Sequence, residues 1–304
     1  MSPPEPFRSV GPAEAGRLLA EGRVHVLDVR TPEEYALRGH LPQAVLLPLD
    51  RIASAPAVLP RDGRPVLVHC EHGIRSVQAA HWLSRAGLPV LNLAGGLAHW
   101  TGPREFGPAD PVAAGRVSGP SSWLLANADL LPPASALLDV ACGRGRHALL
   151  LAAAGHRVRA VDQDAEAVAE LAEVAGRLGL DLRAEVTDLE AGVDLGRESW
   201  DVIVGFRYLH RPLFPALATA LRPGGLLLYE TFTVDQAARG RPTDPRFLLH
   251  HGELPRLVAP LEVVRAREGE FEGRMVSAVA AVKPGRRPAQ DGKATGRRAS
   301  RTRS

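Results

Sequence analysis

The stretch ALLDVACGRGRH at residues 136–147 joins an apolar strand to a glycine-rich turn and the start of a helix. Asp139 lies inside the strand, and Gly143 and Gly145 lie in the turn. Glycines at a strand-to-helix turn allow the backbone to approach a bound ligand closely. The spacing of Gly143, Gly145 and Ala148 also fits a dinucleotide fingerprint, so this turn alone does not identify the cofactor.

The two segments after this helix repeat the pattern of a strand that ends on an acid. RVRAVD ends on Asp162, whose carboxylate can hold both hydroxyls of a ribose, and LRAEVTD ends on Asp188, near the expected adenine. WDVIVGF, at residues 200–206, continues the series. Strands that alternate with helices predict a largely parallel α/β sheet.

The turn Arg222-Pro-Gly-Gly225 and two final strands, 261–266 and 275–282, complete a series that resembles class I S-adenosylmethionine-dependent methyltransferases. The resemblance covers residues 121–284 and favours that family over an NAD-dependent dehydrogenase. It implies a Rossmann-like seven-stranded sheet and S-adenosyl-L-methionine as cofactor. Within the class, residues 206–213 (FRYLHRPL) and the glycine turn are similar to tellurite-resistance-like and small-thiol methyltransferases.

The same resemblance implies roles for five residues that hold the cofactor. Asp139, Gly143 and Gly145 would shape the methionine pocket, Asp162 would bind the ribose, and Asp188 would lie beside the adenine.

Three polar residues follow the fourth strand, where an acceptor would meet the methyl group. Methyl transfer is an in-line displacement at a sulfonium, so the protein mainly supplies alignment and a dry pocket. We expect Arg207 and Tyr208 to contact the substrate and His210 to be the candidate base, with a structural role for His210 as the alternative.

The irregular segment 233–254 predicts a substrate lid after the fifth strand. Arg241 and Arg246 in this lid are candidates to clamp an anionic acceptor, and a merely solvated position is the alternative.

A second chemical motif is VLVHCEHGIRS, at residues 66–76. An apolar strand delivers Cys70 to a short loop, and a helix follows. Successive backbone N–H groups in such a loop form an anion-binding nest, and the helix N-terminus adds positive potential. With Arg75 nearby, these effects predict a nucleophilic thiolate at Cys70. His69 and His72 flank the cysteine but point apart and lack further ligands, so no metal site is expected.

Four motifs in order resemble the rhodanese family over residues 6–102. They are LDVR with PEEY at 27–35, GHLP at 39–42, CEHGIRS at 70–76, and NLAGGLAHW at 92–100. The resemblance implies an α/β domain in which Cys70 accepts a sulfane sulfur, becomes a persulfide and passes the sulfur on. It also implies that Asp28 and Arg30 line the pocket mouth. Gln43 stands where the family usually has glycine.

Composition divides the chain into four parts. Residues 103–120 are rich in Pro and Gly and predict a linker between domains 6–102 and 121–284. Residues 285–304 are basic and poor in apolar residues, which predicts a disordered tail.

The number of cysteines and the length of the apolar runs indicate where in the cell the protein is expected. The longest apolar run, Ala148 to Ala154, is far shorter than the roughly 18 residues that span a membrane. Two cysteines cannot form a disulfide framework, and no secretory signal is visible at the N-terminus. A cytoplasmic location without membrane association is therefore expected.

These features predict an enzyme with two α/β domains, a rhodanese-like sulfurtransferase and a methyltransferase. The expected partners are a sulfane sulfur donor and a small methyl acceptor, for which a thiol or chalcogen fed by the N-terminal half is the leading hypothesis. Two alternatives stay open. One is an RNA-thiolating and RNA-methylating enzyme that uses the basic tail, and the other is a methyltransferase with a non-catalytic rhodanese-like interaction module.

Overall fold

The computed structural model of the protein describes residues 7–60, 62–107 and 119–285. These residues form one five-stranded and one seven-stranded sheet, each flanked by helices, which confirms the predicted fold class of two α/β domains. Most of the predicted linker, residues 108–118, and the predicted disordered tail from residue 286 onward lie outside the described residues.

The N-terminal sheet is entirely parallel. Its strands are β1 (Arg8–Val10), β2 (His25–Asp28), β3 (Val45–Leu46), β4 (Val66–His69) and β5 (Val90–Leu93). Their spatial order is β1-β5-β4-β2-β3. Every residue of the central strand β4 is buried, as expected for an apolar strand covered on both faces.

Helices and short 3-10 segments cover this sheet. The helices are α1 (Pro12–Ala20), α2 (Pro32–Arg38), α3 (Ala55–Val58) and α4 (Ile74–Arg85), and the 3-10 segments are Leu49–Ser54 and Gly96–His99. The apolar runs 24–29, 44–47, 66–69 and 90–93 predict β2 to β5, and the helical pattern at 77–86 predicts α4. The sequence analysis missed β1 and the first three helices. A capping box between Thr31 and Glu34 starts α2, and the string Thr-Pro-Glu-Glu was a readable signal for it.

The C-terminal sheet has the spatial order β11-β12-β10-β9-β6-β7-β8. Its strands are β6 (Ala136–Val140), β7 (Arg157–Asp162), β8 (Leu182–Val186), β9 (Trp200–Phe206), β10 (Leu221–Phe232), β11 (Glu262–Phe271) and β12 (Arg274–Val282). The sheet is mixed, because β12 runs antiparallel to both β10 and β11. All seven strands are predicted by the sequence, but it places the start of β10 at residue 225 and the end of β11 at residue 266.

The helices of this half lie between its strands or precede them. They are α5 (Ser122–Ala126), α6 (Arg146–Ala153), α7 (Ala165–Leu178), α8 (Phe214–Ala220) and α9 (Leu254–Leu257), with 3-10 segments at Ala128–Leu130, Arg211–Leu213, Val234–Ala238 and Pro245–Phe247. The predicted lid contains the last two of these 3-10 segments. None of the helices in the described part of the chain has the length and apolar character of a membrane span.

The two halves share an apolar contact. Ala86 of the first half is buried in the core of the second, and Trp82 and Ala57 pack against the same core. The 3-10 segment Leu49–Ser54 and α3 both lie against α6. The halves are therefore packed together, which the sequence, with its Pro/Gly-rich connection, did not suggest.

Candidate active sites

Cys70 follows β4 directly and is 1% exposed. Its Sγ accepts the backbone N–H groups of Gly73 at 3.1 Å and Ser76 at 3.4 Å, both across the turn into α4. The hydroxyl of Ser76 lies 3.6 Å from Sγ. The predicted loop of amides therefore surrounds the sulfur, and N–H donors in this position stabilise negative charge on it.

Two glycines give the cysteine loop its shape. Gly73 has φ +88°, a left-handed conformation that other residues adopt at a cost. A Cβ on Gly96 would lie 2.5 Å from the carbonyl oxygen of Cys70. The carbonyls of Cys70 and Glu71 accept the N–H groups of Leu97 and Ala98, each at 2.9 Å. The segment that begins at Gly96 therefore packs against the cysteine loop and is hydrogen-bonded to it.

Asp28 and Arg30, the residues predicted to line the pocket mouth, are both fully buried. The Arg30 guanidinium donates to Asp28 at 2.7 Å, to Glu71 at 2.8 Å and to the carbonyl of Gly39 at 2.7 Å. Burial alone would lower the pKa of Arg30, but the hydrogen bonds and charges of Asp28 and Glu71 raise it overall. These hydrogen bonds connect the end of β2 to the cysteine loop, and the role of the two residues at a pocket mouth stays a prediction.

Arg75 lies beside the cysteine loop, but its positive charge is paired with the carboxylate of Glu34. Its guanidinium donates to both carboxylate oxygens of Glu34, each at 2.7 Å, and this pair holds the pKa of Glu34 at about 2. Arg75 therefore connects α4 to α2 as well as adding positive potential near Cys70. His69 is buried, with its pKa lowered to about 4 by loss of solvation, whereas His72 is exposed.

A cavity of about 370 Å³ lies at the carboxyl ends of the C-terminal strands. Among the predicted cofactor and substrate residues, it is lined by Gly143, Asp162, Asp188, Arg207 and Tyr208. The structure thus brings together residues from the ends of four strands, as parallel α/β sheets do at ligand sites.

The glycine turn and Asp162 form one wall. Gly143 has φ +53°, a Cβ on it would meet nothing within 4 Å, and its N–H donates to Asp162 at 2.7 Å. The other oxygen of Asp162 accepts the N–H of Asp164 at 3.0 Å. Gly145 lies behind the wall, where a Cβ would come within 2.3 Å of Leu171 on α7. Its role is close packing at the start of α6.

Asp139 also lies behind the cavity. It is 1% exposed, and its Oδ2 has no partner among the described residues. Loss of solvation raises its pKa to about 7, against the charge of Arg146 and the backbone N–H of Ala148. A buried polar atom without a partner, beneath the glycine turn, is consistent with a site completed by a ligand.

Phe206, Arg207 and Tyr208 also line the cavity, and they form the end at which the sequence predicts an acceptor. Arg207 adopts φ +61°, an uncommon conformation for a residue other than glycine, and its N–H donates to the Glu230 carbonyl at 2.8 Å. The Tyr208 hydroxyl is buried without a partner among the described residues, and burial raises its pKa to about 12. His210 is not among the lining residues, so the arrangement gives no support to it as a base.

His147 and Arg146 are lining residues whose contribution the sequence analysis did not predict. His147 stacks on Phe206 at 4.1 Å and accepts the N–H of Ser121 at 3.2 Å. Burial lowers its pKa well below 6.5, so the ring is neutral. The position of Arg146, directly after the glycine turn, was a signal that could have identified it.

The segment that precedes the C-terminal sheet is bound to it by buried polar contacts. The Ser121 hydroxyl donates to Glu230 at 2.8 Å, and Arg267 donates to the other oxygen of Glu230 at 2.6 Å. Trp123 is buried and donates its indole N–H to the Val279 carbonyl at 3.2 Å. It packs in the core.

The lid arginines are not cavity residues. Arg246 is paired with Asp244 at 2.7 Å and its side chain is 80% exposed, and Arg241 is exposed as well. Neither lines the cavity, so the arrangement gives no support to the predicted clamp. Ala57, from the N-terminal half, does line it.

Comparison with known proteins identifies a family for each of the two domains. The protein family described as Rhodanese-like domain matches residues 11–103, and the family described as Methyltransferase domain matches residues 137–225. A protein named Sulfurtransferase from Allochromatium vinosum is 40% identical over 85 residues, which are 28% of this chain and 78% of that protein.

Solved structures resemble the C-terminal half. TehB from Haemophilus influenzae has a TM-score of 0.47 and 20% identity, over 55% of this chain and 63% of that one. An S-adenosylmethionine-dependent methyltransferase from Mesorhizobium loti has a TM-score of 0.45 and 18% identity, over 54% of this chain and 98% of that one. This chain therefore spans somewhat less than two thirds of TehB.

Proposed function

The chain belongs to the rhodanese family through residues 11–103 and carries a methyltransferase domain at residues 137–225, and from this premise we propose two transfer reactions. The N-terminal half transfers sulfane sulfur through Cys70. The C-terminal half methylates a small acceptor, with a thiol or another chalcogen nucleophile as the substrate class, at the expense of S-adenosylmethionine.

The surroundings of Cys70 support sulfur transfer. With thiosulfate as donor, the thiolate attacks the outer sulfur, the S–S bond of the donor breaks, and sulfite leaves with the electron pair. The resulting terminal sulfur of the persulfide is then taken by a nucleophile such as cyanide, which regenerates the thiolate. The N–H groups of Gly73 and Ser76 stabilise the anionic sulfur at the start and the end of this cycle.

The residues around the cavity fit S-adenosylmethionine. Asp162 uses one hydrogen bond on each oxygen, so further lone pairs remain for two ribose hydroxyls, and Asp188 lies on the same wall for the adenine. The open space over Gly143 allows backbone contact, and the buried Asp139 lies beneath it. When bound there, S-adenosylmethionine supplies a methyl group on a sulfonium, and the S–C electron pair stays with the departing thioether.

The acceptor end favours a nucleophile that loses its proton unaided, and this observation carries the substrate class. Burial and the charges of Arg146 and Arg274 lower the pKa of Arg207 to about 9, and burial raises the pKa of Tyr208 to about 12. Both groups therefore remain protonated at neutral pH and cannot act as bases. A thiol, with an ordinary pKa of about 8.5, is partly ionised at neutral pH, so it can react as the thiolate without a base.

The two sites do not share a wall. Cys70 precedes α4, whereas Trp82, at least two turns or roughly 12 Å further along the helix, contacts the C-terminal core. Cys70 is not among the residues that line the cavity. A sulfur product made at Cys70 would therefore reach the methyl acceptor site after release.

The test is a screen with methyl-labelled S-adenosylmethionine against small thiols, hydrosulfide, oxyanions and RNA. We expect labelled product from thiols or hydrosulfide, loss of that product in Asp162→Ala, and no effect of Cys70→Ser on methylation of a supplied thiol. The same Cys70→Ser protein should fail to form a persulfide with thiosulfate, as read by mass spectrometry. Label transfer to RNA alone would contradict the proposed substrate class.

A further inference from the structure

An apolar side chain is exposed in the cysteine loop. Ile74, the first residue of α4, is 72% exposed, although Cys70 in the same loop is buried. Ile74 lies between Gly73 and Ser76, whose N–H groups both donate to the Cys70 sulfur. An exposed apolar side chain in the loop that holds the reactive sulfur is available to a molecule that approaches it.

A second exposed apolar side chain is connected to this loop. Phe106 is 69% exposed, and its ring lies against Gly39, where a Cβ would come within 2.9 Å of it. The Gly39 carbonyl accepts from Arg30 at 2.7 Å, and Arg30 donates to Glu71 in the cysteine loop at 2.8 Å. Gly39 and Arg30 therefore connect Phe106 to the loop, on the side of the chain that follows α2.

The charged side chains that contact one another around the loop carry no excess positive charge. Arg30 pairs with Asp28 at 2.7 Å and with Glu71 at 2.8 Å, and a second pair joins Arg75 to Glu34 at 2.7 Å. These contacts join two guanidiniums to three carboxylates, so the group carries one negative charge in excess when all five are ionised. A donor with one negative charge is therefore repelled less than the dianion thiosulfate.

The donor has to place its reactive sulfur deeper than the rest of the molecule. Cys70 is 1% exposed, so the terminal sulfur of the donor enters the loop while the group that carries it stays near the surface. Ile74 is the exposed apolar residue of the loop at that surface. An apolar group that covers it gains about 25 cal/mol for each Å² removed from water.

Resting on the sulfur transfer proposed above, we propose that the sulfur donor is an organic sulfane sulfur compound with an apolar substituent, in preference to thiosulfate, and that Ile74 contacts the substituent. With a thiosulfonate, the Cys70 thiolate attacks the terminal sulfur, the S–S bond breaks, and a sulfinate leaves with the electron pair. One negative charge arrives with the donor and one departs with the sulfinate, so persulfide formation needs no further oxidant or reductant.

The test compares donors that differ in one property at a time. Methanethiosulfonate has nearly the shape of thiosulfate with one negative charge fewer, and benzenethiosulfonate has the same charge as methanethiosulfonate with a larger apolar group. Thiocyanate formation at saturating cyanide gives kcat/KM for each donor, and the rates of 2-mercaptoethanol with the same donors correct for intrinsic reactivity. We expect corrected kcat/KM to rise about tenfold from thiosulfate to methanethiosulfonate and about fivefold more for benzenethiosulfonate.

Variants of the exposed residues test the contact. Ile74→Ser should reduce the preference for the benzene compound over the methane compound to less than about twofold, and Phe106→Ser should reduce it in part. Ile74→Lys should raise kcat/KM for thiosulfate about fivefold, because it adds a positive charge. Val186→Ser, at a 58% exposed position in the C-terminal half, is the matched control and should leave every ratio unchanged. Equal corrected values for thiosulfate and methanethiosulfonate, or a preference for the benzene compound that survives Ile74→Ser, would overturn the inference.

Alkylation of Cys70 separates this inference from the proposed function. Iodoacetamide is neutral and iodoacetate is an anion of nearly the same shape, and peptide mass spectrometry reads the modification of Cys70 alone. Relative to 2-mercaptoethanol, Cys70 should react about fivefold faster with iodoacetamide, and Ile74→Lys should reduce this ratio. That preference without persulfide formation from any donor would contradict the proposed sulfur transfer and leave the selectivity standing. Equal persulfide formation from thiosulfate and methanethiosulfonate would contradict the selectivity and leave sulfur transfer standing.

Discussion

Asp162 accepts the backbone N–H of Gly143 at 2.7 Å, so the carboxylate at the end of β7 fixes the glycine turn at the end of β6. The same side chain accepts the N–H of Asp164 at 3.0 Å. Asp162 can therefore affect cofactor binding in two ways, by holding the glycine turn in place and by contacting the ligand from the cavity lining.

We expect Asp162→Ala to weaken binding of S-adenosylhomocysteine by about 2–3 kcal/mol, because charge-assisted hydrogen bonds to the ribose are lost. Titration calorimetry measures this directly. Asp181→Ala, at an exposed position just before β8, is the matched control and should bind normally. Affinity within twofold of wild type in Asp162→Ala would remove Asp162 from the cofactor site.

Glu71→Ala should destabilise the N-terminal half and slow persulfide formation at Cys70. The change leaves one nitrogen of the buried Arg30 without its partner at 2.8 Å, which costs about 1.5–3 kcal/mol. Glu71→Gln, which keeps an acceptor oxygen, should recover part of the loss. Urea denaturation gives the stability and mass spectrometry the persulfide, and Glu21→Ala, in an exposed ion pair, is the control. Wild-type stability in Glu71→Ala would show that Arg30 does not need this contact.

The main strands and the positions of Cys70, Gly143 and Asp162 could be predicted from the sequence. Apolar runs bounded by glycines and acids identify parallel strands, and sites in such sheets lie at the carboxyl ends of the strands. The burial of Arg30 could not be predicted, because two of its acceptors, Glu71 in the loop after β4 and the carbonyl of Gly39, lie far from it in the sequence. Arginine is almost never fully buried unless such partners assemble around it.

The proximity of Arg146 and Arg207 depends on sheet order. They are 61 positions apart, and only the pairing of β6 with β9 brings the ends of their strands together. The sequence around Ala57 does not indicate that this residue lines the cavity, because its position there depends on how one half of the protein packs on the other.

Asp139→Asn should change how stability depends on pH. Burial raises the pKa of Asp139 to about 7 in the folded protein, from about 4 when unfolded. The folded state therefore keeps a proton that the unfolded state releases, and this contribution is present below pH 4 and lost as pH rises through 7. Relative to wild type, the variant should gain up to about 4 kcal/mol between pH 4 and pH 8.

Urea denaturation of the cofactor-free proteins across that range measures the effect. Asp181→Asn, at an exposed position, should follow the wild-type profile. Parallel profiles for Asp139→Asn and wild type would mean that Asp139 is ionised in the folded protein throughout.

Gln43→Gly should stabilise the N-terminal half by about 1 kcal/mol. Gln43 has φ +61° in a β-turn closed by the Ala44 N–H and the Leu41 carbonyl at 3.1 Å, with Pro42 before it. The left-handed conformation costs a residue with a Cβ roughly 1–2 kcal/mol, partly offset by the greater chain entropy of glycine. Gln43→Ala should give no such gain. A midpoint of denaturation that does not rise for glycine would mean that the turn is not strained at this position.

The last prediction concerns Ala57, the one residue of the N-terminal half among those that line the cavity. Ala57 lies in α3, which packs against α6 directly after the glycine turn. A glutamate at this position would bring a bulky charge into the cavity wall, so Ala57→Glu should lower the affinity for S-adenosylhomocysteine at least tenfold, or about 1.4 kcal/mol. Calorimetry measures the affinity, and sulfur transfer from thiosulfate to cyanide should stay near the wild-type rate, because Cys70 is not among the residues that line the cavity. Leu37→Glu, at a position that is 79% exposed, is the matched control and should affect neither measurement. Unchanged cofactor affinity in Ala57→Glu would show that the N-terminal half does not form part of the cofactor site in solution.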